Sequence, residues 1–223
     1  MRVTATPLVA VTPDGSPVDV YLRLPSRGEA ELVDAAIPVG AAVLELGCGV
    51  GRITHELIRL GHPVVAVDES PEMLAHVRGA ETVLARIEEL ELRRTFPCVL
   101  LASHFVNVEA GERQALLETC ARHVSGDGIV VIERYDPAWA PEEGAARRIG
   151  DVILAMRSVR REGRRISAAV EYTVDERTWF QPFTAVLLDD AELDAALRRA
   201  GLVFAGPLDE LGLWIGARLY SGA

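Results

Sequence analysis

Short apolar runs alternate with amphipathic stretches of helical period over the first two thirds of the chain, and longer extended segments follow. Residues 42–46, 64–67, 82–84, 98–102 and 129–132 are apolar or nearly so. Such runs suit strands buried on both faces. Between them, residues 26–37, 52–60, 70–77 and 112–124 carry helical spacing. Boundary signals mark several of these. Ser26 and Glu29 have capping-box spacing, Gly61 can end the second helix, and Ser70 can cap a third that has Pro71 at its first position. Ser125-Gly126-Asp127-Gly128 reads as a turn before the fifth strand. Strands alternating with helices predict a parallel sheet with helical crossovers.

The two flanks differ from this middle. Residues 9–11 and 18–24 read as extended, joined by the turn signal Pro13-Asp14-Gly15. In the second, Val18, Val20, Leu22 and Leu24 share one face, and Asp19, Tyr21 and Arg23 share the other. That polar face is either solvated or part of an N-terminal extended flap, residues 1–25, over a ligand. Downstream, residues 152–160, 165–174 and 178–188 look like longer strands, with turns at Glu162-Gly163 and Asp175-Glu176. They predict an antiparallel β insertion within residues 138–188, although the first also fits a helix. Residues 189–200 read as a helix capped by Asp189 or Asp190, and 202–204 and 213–219 as final strands. A length of 223 residues favours one domain over 1–223.

Composition narrows the chemistry. The net charge of −10 disfavours a nucleic acid partner. All 23 basic residues are Arg, so no Lys serves as nucleophile or Schiff-base former. Cys48, Cys98 and Cys120 have no metal-ligand spacing and suit reduced thiols in a cytoplasmic protein. Neither a secretory leader nor a membrane-spanning run is expected.

The densest signal is Val43-Leu44-Glu45-Leu46-Gly47-Cys48-Gly49-Val50-Gly51-Arg52. It reads as a buried strand, a tight turn that lets a ligand approach the backbone, and a helix whose N-terminus faces that ligand. Dinucleotides and S-adenosylmethionine both use such a turn. The dinucleotide fingerprint wants a third glycine where Arg52 stands. Asp68, ending the next strand, suits ribose hydroxyls in either case.

Residues 43–54, with the core VLELGCGVGR, resemble motif I of the class I S-adenosylmethionine-dependent methyltransferases, and residues 64–74, VVAVDESPEML, resemble the segment carrying that family's motif II. The resemblance implies a Rossmann-like, doubly wound α/β sheet of seven strands with the last antiparallel, plus the β insertion after strand 5. It implies S-adenosylmethionine as cofactor. Gly47, Cys48, Gly49 and Gly51 would pass the methionyl part, and Glu45 would fix the turn or receive the cofactor's amino group. Asp68 would take the ribose, with Glu69, Ser70 and Met73 near the adenine. After the third strand the alignment gives Arg86-Ile87-Glu88 where the family often has Asp-Ala or Asn-Ala, so Ile87 and Glu88 are the adenine candidates. Ala102 and Ser103 end the fourth strand beside the methionyl group. Tyr21 of the flap and Arg52 complete the cofactor set. Arg52 is either exposed or paired with the cofactor carboxylate or an acidic wall of the site.

Methyl transfer from a sulfonium needs alignment and water exclusion more than a strong catalytic motif. His104 is the candidate base, because it follows a buried strand at the edge where open α/β sheets bind ligands. Glu133 and Tyr135 lie at the same edge after the fifth strand. His55, His62, His76 and His123 are read as surface residues. Trp139, Trp179, Phe180 and Phe183 either wall an acceptor pocket or pack the insertion. Ser103-His104-Phe105-Val106-Asn107 does not match the motif of DNA N-methyltransferases. The expected function is O- or N-methylation of a small molecule, by a monomer or homodimer that needs no metal. The alternatives are a same-fold cyclase or eliminase, a non-catalytic cofactor-binding subunit and, third, a Rossmann oxidoreductase.

Overall fold

The computed structural model describes Thr12 and residues 14–220. The expected strand at residues 9–11 lies outside them. Eleven strands and six α-helices form two sheets among the described residues. The larger has seven strands in the order β10-β11-β5-β4-β1-β2-β3. These are β1 Val43–Leu46, β2 Val64–Asp68, β3 Glu81–Leu84, β4 Phe96–Leu101, β5 Val124–Glu133, β10 Leu202–Pro207 and β11 Trp214–Leu219. The first five pair in parallel, whereas β11 is antiparallel to both β5 and β10. The expected seven-stranded topology with an antiparallel last strand is the one observed.

Alternation along each strand separates two buried layers. Val43, Ala66, Cys98, Leu100 and Val131 pack with α2 Glu29–Ala36 and α3 Arg52–Arg59. Leu44, Val67, Val99, Leu101 and Ile132 pack with α5 Ala110–His123 and α6 Asp190–Arg199. Covering both faces explains why β1, β2 and β4 are nearly continuous apolar runs.

The smaller sheet is the insertion, four antiparallel strands in the order β6-β7-β8-β9. They are β6 Ala146–Ile149, β7 Val152–Glu162, β8 Arg165–Val174 and β9 Arg177–Val186. The ambiguous segment at 152–160 is therefore a strand. The exposed, Arg-rich β6 carries no apolar alternation and was not legible beforehand.

Residues 18–24 are not extended. They form α1, the single helical turn Val18–Tyr21, after Pro17. In a strand Val18 and Val20 would face the same way, but two helical residues are about 200° apart. Val18 packs on Val50 and Met73, beside the glycine turn. Val20 packs on Val152, Tyr172 and Val174 of the insertion. The helical turn thus serves two bodies at once.

Three boundaries also move. Helix α2 starts at Glu29 after left-handed Gly28, with Ser26 Oγ and the Arg27 N–H both donating to the Glu29 carboxylate. The expected turn at residues 125–128 is absorbed into β5 as a bulge. Phe96 pairs with Val124 and Cys98 with Ile129, so three extra residues of β5 are accommodated in one step. Helix α4, Pro71–Leu74, ends before the expected residue 77.

Candidate active site

The site lies at the C-terminal edge of β1, β2, β4 and β5, under the insertion. Its floor is the glycine turn. The Gly47 and Cys48 N–H groups both donate to the Val67 carbonyl, at 2.8 and 2.9 Å, holding the turn against β2. Gly47, Gly49 and Gly51 all have positive φ. Gly47 is also sterically crowded, since a Cβ there would lie 2.4 Å from the Phe105 ring and the ring would have to move.

Asp68 ends β2 and accepts from Gly49 N at 2.8 Å and Ser70 N at 2.9 Å, one on each carboxylate oxygen. Each oxygen keeps a further lone pair. Burial raises the Asp68 pKa, against the lowering effect of those N–H groups. Ser70 caps α4 through Met73 N at 3.2 Å. Glu45 is 3% exposed and accepts from the Thr54 hydroxyl of α3. Burial pushes its pKa up to about 7. Arg52 Nη1 turns to the start of α2, donating to the Pro25 carbonyl at 2.9 Å and pairing with Glu29 at 3.2 Å. Arg52 thus meets an acidic residue, Glu29, which is not part of the cleft lining.

Just after β4, Ser103 and His104 both adopt left-handed φ, 55° and 61°. Such a conformation costs on the order of 1–2 kcal/mol per non-glycine residue. The turn that follows is clamped. Arg113 Nε donates to the Val106 carbonyl at 2.7 Å. Asn107 is buried, donates to Val186 O at 2.9 Å and accepts from Tyr135 N at 2.8 Å. Glu133 accepts from Ser103 N at 2.7 Å and lies 3.5 Å from His104 Nε2. Burial, with Arg27 and Arg147 nearby, pushes the His104 imidazole down to about 4, so the ring is neutral at neutral pH. Burial also raises Glu133, and takes Tyr135 up to about 12. The His104 ring stacks on Tyr135 at 3.9 Å, and Tyr135 on Trp139 at 4.3 Å.

Floor, edge and roof enclose a cleft of about 450 Å³. Of the residues expected at the site, Tyr21, Gly47, Gly49, Asp68, Glu69, Met73, Ile87, Glu88, Ser103, His104 and Tyr135 line it. Glu45, Cys48, Gly51, Arg52, Ser70, Ala102 and Glu133 stand behind that lining. Phe183 faces the cleft, Trp179 packs inside the insertion and Phe180 is 59% exposed. His62 and His123 are not surface residues: each is 1% exposed. His62 lies between Asp34 Oδ1 and Ala41 O, and His123 between Thr119 O and Leu92 N, so polar partners replace the expected water.

Residues 43–128 match the family described as "Methyltransferase domain". They hold β1, β2 and the glycine turn between them. The matched residues thus carry a methyltransferase domain. A cypemycin N-terminal methyltransferase from Streptomyces sp is 32% identical over 133 residues, covering 56% of this chain and 54% of that protein. A dTDP-3-amino-3,6-dideoxy-alpha-D-glucopyranose N,N-dimethyltransferase from Streptomyces fradiae is 30% identical over 159 residues, 65% of this chain and 61% of that one. The chain thus spans a little over half the length of these relatives. The sugar N-methyltransferase KedS8 from Streptoalloteichus sp ATCC 53650 shares the fold, with a TM-score of 0.72 at 22% identity over 99% of both chains. Among the described residues no helix of the domain is long and apolar enough to cross a membrane.

Several residues that line the cleft were not anticipated. Asp14, Ser16, Tyr172 and Gln181 come from the flap and the insertion. Tyr172 and Gln181 sit on the face of β8 and β9 that carries Val170 and Trp179. Alternation placed them on a face, but only the folded insertion turns that face to the cleft. Phe105 had one signal, its position directly after the edge residues Ser103 and His104.

Proposed function

We propose that the chain is an S-adenosylmethionine-dependent methyltransferase acting on oxygen or nitrogen of a small molecule. The observation that carries this is the single cleft running from the glycine turn and Asp68 past His104 and Tyr135 to the insertion. Its volume of about 450 Å³ is within the range of small-molecule sites. The floor fits the cofactor: a Cβ at Gly49 would meet no atom within 4 Å, and Asp68 has lone pairs left for hydroxyl donors. The two relatives, a cypemycin N-terminal methyltransferase and an amino-sugar N,N-dimethyltransferase, support the same class of reaction.

When bound, S-adenosylmethionine would supply a methyl group activated by its sulfonium, open to in-line transfer to an acceptor lone pair with neutral S-adenosylhomocysteine as the leaving group. The backbone of Gly47 and Gly49 holds the methionyl part, with Cys48, Gly51, Ala102 and Ser103 shaping the turn and edge around it. Glu45, Arg52 and Ser70 act from behind by fixing α3, α2 and α4. Asp68 accepts from the ribose hydroxyls, and Glu69, Met73, Ile87 and Glu88 enclose the adenine. Tyr21 closes the cleft from the flap. His104 is neutral and can accept a proton, Glu133 orients it, and Tyr135 supports its ring. Residues 138–188 form the acceptor-recognising insertion of a single domain over 1–223. The three buried free thiols and the acidic charge support a cytoplasmic protein without a nucleic acid partner, and we propose a monomer or homodimer.

Calorimetric titration with S-adenosylhomocysteine and with nicotinamide dinucleotides tests the cofactor. Binding of the second and not the first would end this reading. With an acceptor in hand, release of methylthioadenosine in place of S-adenosylhomocysteine would assign the fold to cyclisation or elimination instead.

A further inference from the structure

The roof of the cleft is organised around one amide. Gln181 Oε1 accepts from the Tyr172 hydroxyl at 3.0 Å and the Tyr21 hydroxyl at 3.3 Å. Gln181 Nε2 donates to Ser16 Oγ at 2.7 Å and Asp14 Oδ2 at 3.3 Å. Chemistry fixes which way the amide points, because an ionised carboxylate has no proton to give and must face the NH₂ end. Ser16 Oγ in turn donates to Asp14 at 2.7 Å. All five side chains line the cleft, and they join the N-terminal segment to β8 and β9.

This arrangement determines what the roof has left to offer. Both phenol protons are committed to Gln181, so the two phenol oxygens retain only lone pairs. The Ser16 proton is committed to Asp14, whose two oxygens also accept from Thr12 Oγ1, Ser16 N and Gln181 Nε2, so Asp14 contributes its charge and no free lone pair. Burial raises the Tyr172 pKa further above neutrality, so its proton stays in place. The Tyr21 and Tyr172 rings lie 6.5 Å apart at 56°, adding two aromatic faces. A surface of lone pairs, one carboxylate charge and aromatic faces attracts a cation that carries N–H donors.

We propose that this roof is a subsite for an ammonium group, set up by Gln181. The inference rests on the cofactor reading above. The ammonium belongs either to the α-amino group of the cofactor or to an amine acceptor arriving protonated, and the two sources are separable. Gln181 acts as a positioning residue, since it directs the Tyr21 and Tyr172 hydroxyls without itself having a free valence.

The test uses the full chain and calorimetry with two probe pairs. The first is S-adenosylhomocysteine against its analogue lacking the α-amino group. The second is benzylammonium against benzyl alcohol, titrated with and without saturating S-adenosylhomocysteine. A preference of about tenfold for the ammonium member is expected in one pair, the size of one charge-assisted hydrogen bond. Preference in the first pair assigns the subsite to the cofactor, and in the second to the acceptor. Gln181→Met should bring that preference close to one while S-adenosylhomocysteine binding persists. If that variant does not fold, Tyr172→Phe, which deletes one acceptor oxygen, should reduce the preference severalfold. No preference in either pair, or a preference unchanged in the folded variants, overturns the subsite. Loss of all S-adenosylhomocysteine binding in the wild type would instead overturn the cofactor reading, and the benzylammonium pair would still decide the subsite.

Discussion

Gly47 and Gly49 stand two residues apart in one turn, yet alanine should harm them in different ways. At Gly47 the φ is +72°, and a Cβ would sit 2.4 and 2.8 Å from two carbons of the Phe105 ring. Left-handed alanine costs about 1–2 kcal/mol. Forcing Phe105 aside adds about 1–3 kcal/mol, as overpacking usually does. The total of roughly 2–5 kcal/mol should lower Tm by about 4–20 °C, at about 2–4 °C per kcal/mol for a chain of this size. At Gly49 the φ is +56° and a Cβ meets nothing within 4 Å. Gly49→Ala should therefore lose only the backbone term, about 1–2 kcal/mol of stability. Its methyl would instead occupy open space on the cleft floor. An obstruction worth about 1–3 kcal/mol weakens binding roughly 5- to 150-fold. Thermal denaturation and titration with S-adenosylhomocysteine, run on both variants, give the two readouts. Wild-type affinity in Gly49→Ala would refute the close approach of a ligand to that backbone. Wild-type Tm in Gly47→Ala would refute the packing of Phe105 on the turn.

Asp68→Ala removes the partner of the Gly49 and Ser70 N–H groups and the proposed ribose acceptor. S-adenosylhomocysteine affinity should fall by about 10- to 100-fold, at about 1.5–3 kcal/mol for hydrogen bonds to a charged group, and unchanged affinity in calorimetry would sink the assignment. His104, held near 4 from an ordinary 6.5, contributes stability that is present above pH 6.5 and lost as pH falls toward 4. Urea denaturation across that window should show wild type losing about 1–3 kcal/mol relative to His104→Gln, the ring being 29% exposed; parallel pH curves would contradict it. Glu45 has the opposite sign. Its pKa rises from 4.5 to about 7, so its contribution is present below pH 4.5 and lost as pH rises through 7. Glu45→Gln, a neutral acceptor for Thr54, should thus gain up to about 3 kcal/mol relative to wild type between pH 5 and 8, and a constant difference would show that Glu45 is not protonated in the fold.

The floor of the site was legible because its parts are local. A strand, three glycines and a capped helix specify their own backbone, and residues 43–51 and 64–73 each carry their half of the cofactor turn within a few residues of sequence. Strand β6 and helix α1 were not legible for the same reason inverted. β6 has no apolar period of its own, and α1 has an alternation that reads as a strand. Arg52 shows the limit at single-residue scale: its spacing put it beside a ligand, but Pro25 and Glu29, over twenty residues upstream, hold its guanidinium.

What the sequence determined by itself was the doubly wound sheet and a ligand-binding glycine turn, since burial on both faces demands continuous apolar strands and the turn demands its residues at adjacent positions; the family resemblance of residues 43–54 and 64–74 is what selected S-adenosylmethionine over a dinucleotide. The tertiary structure decided the roof. Asp14, Tyr21, Tyr172 and Gln181 come from segments up to 167 residues apart, and no local pattern ties one to another. Their hydrogen bonds exist only because Val18 and Val20, on opposite sides of one helical turn, pin the N-terminal segment to the glycine turn and to the insertion together.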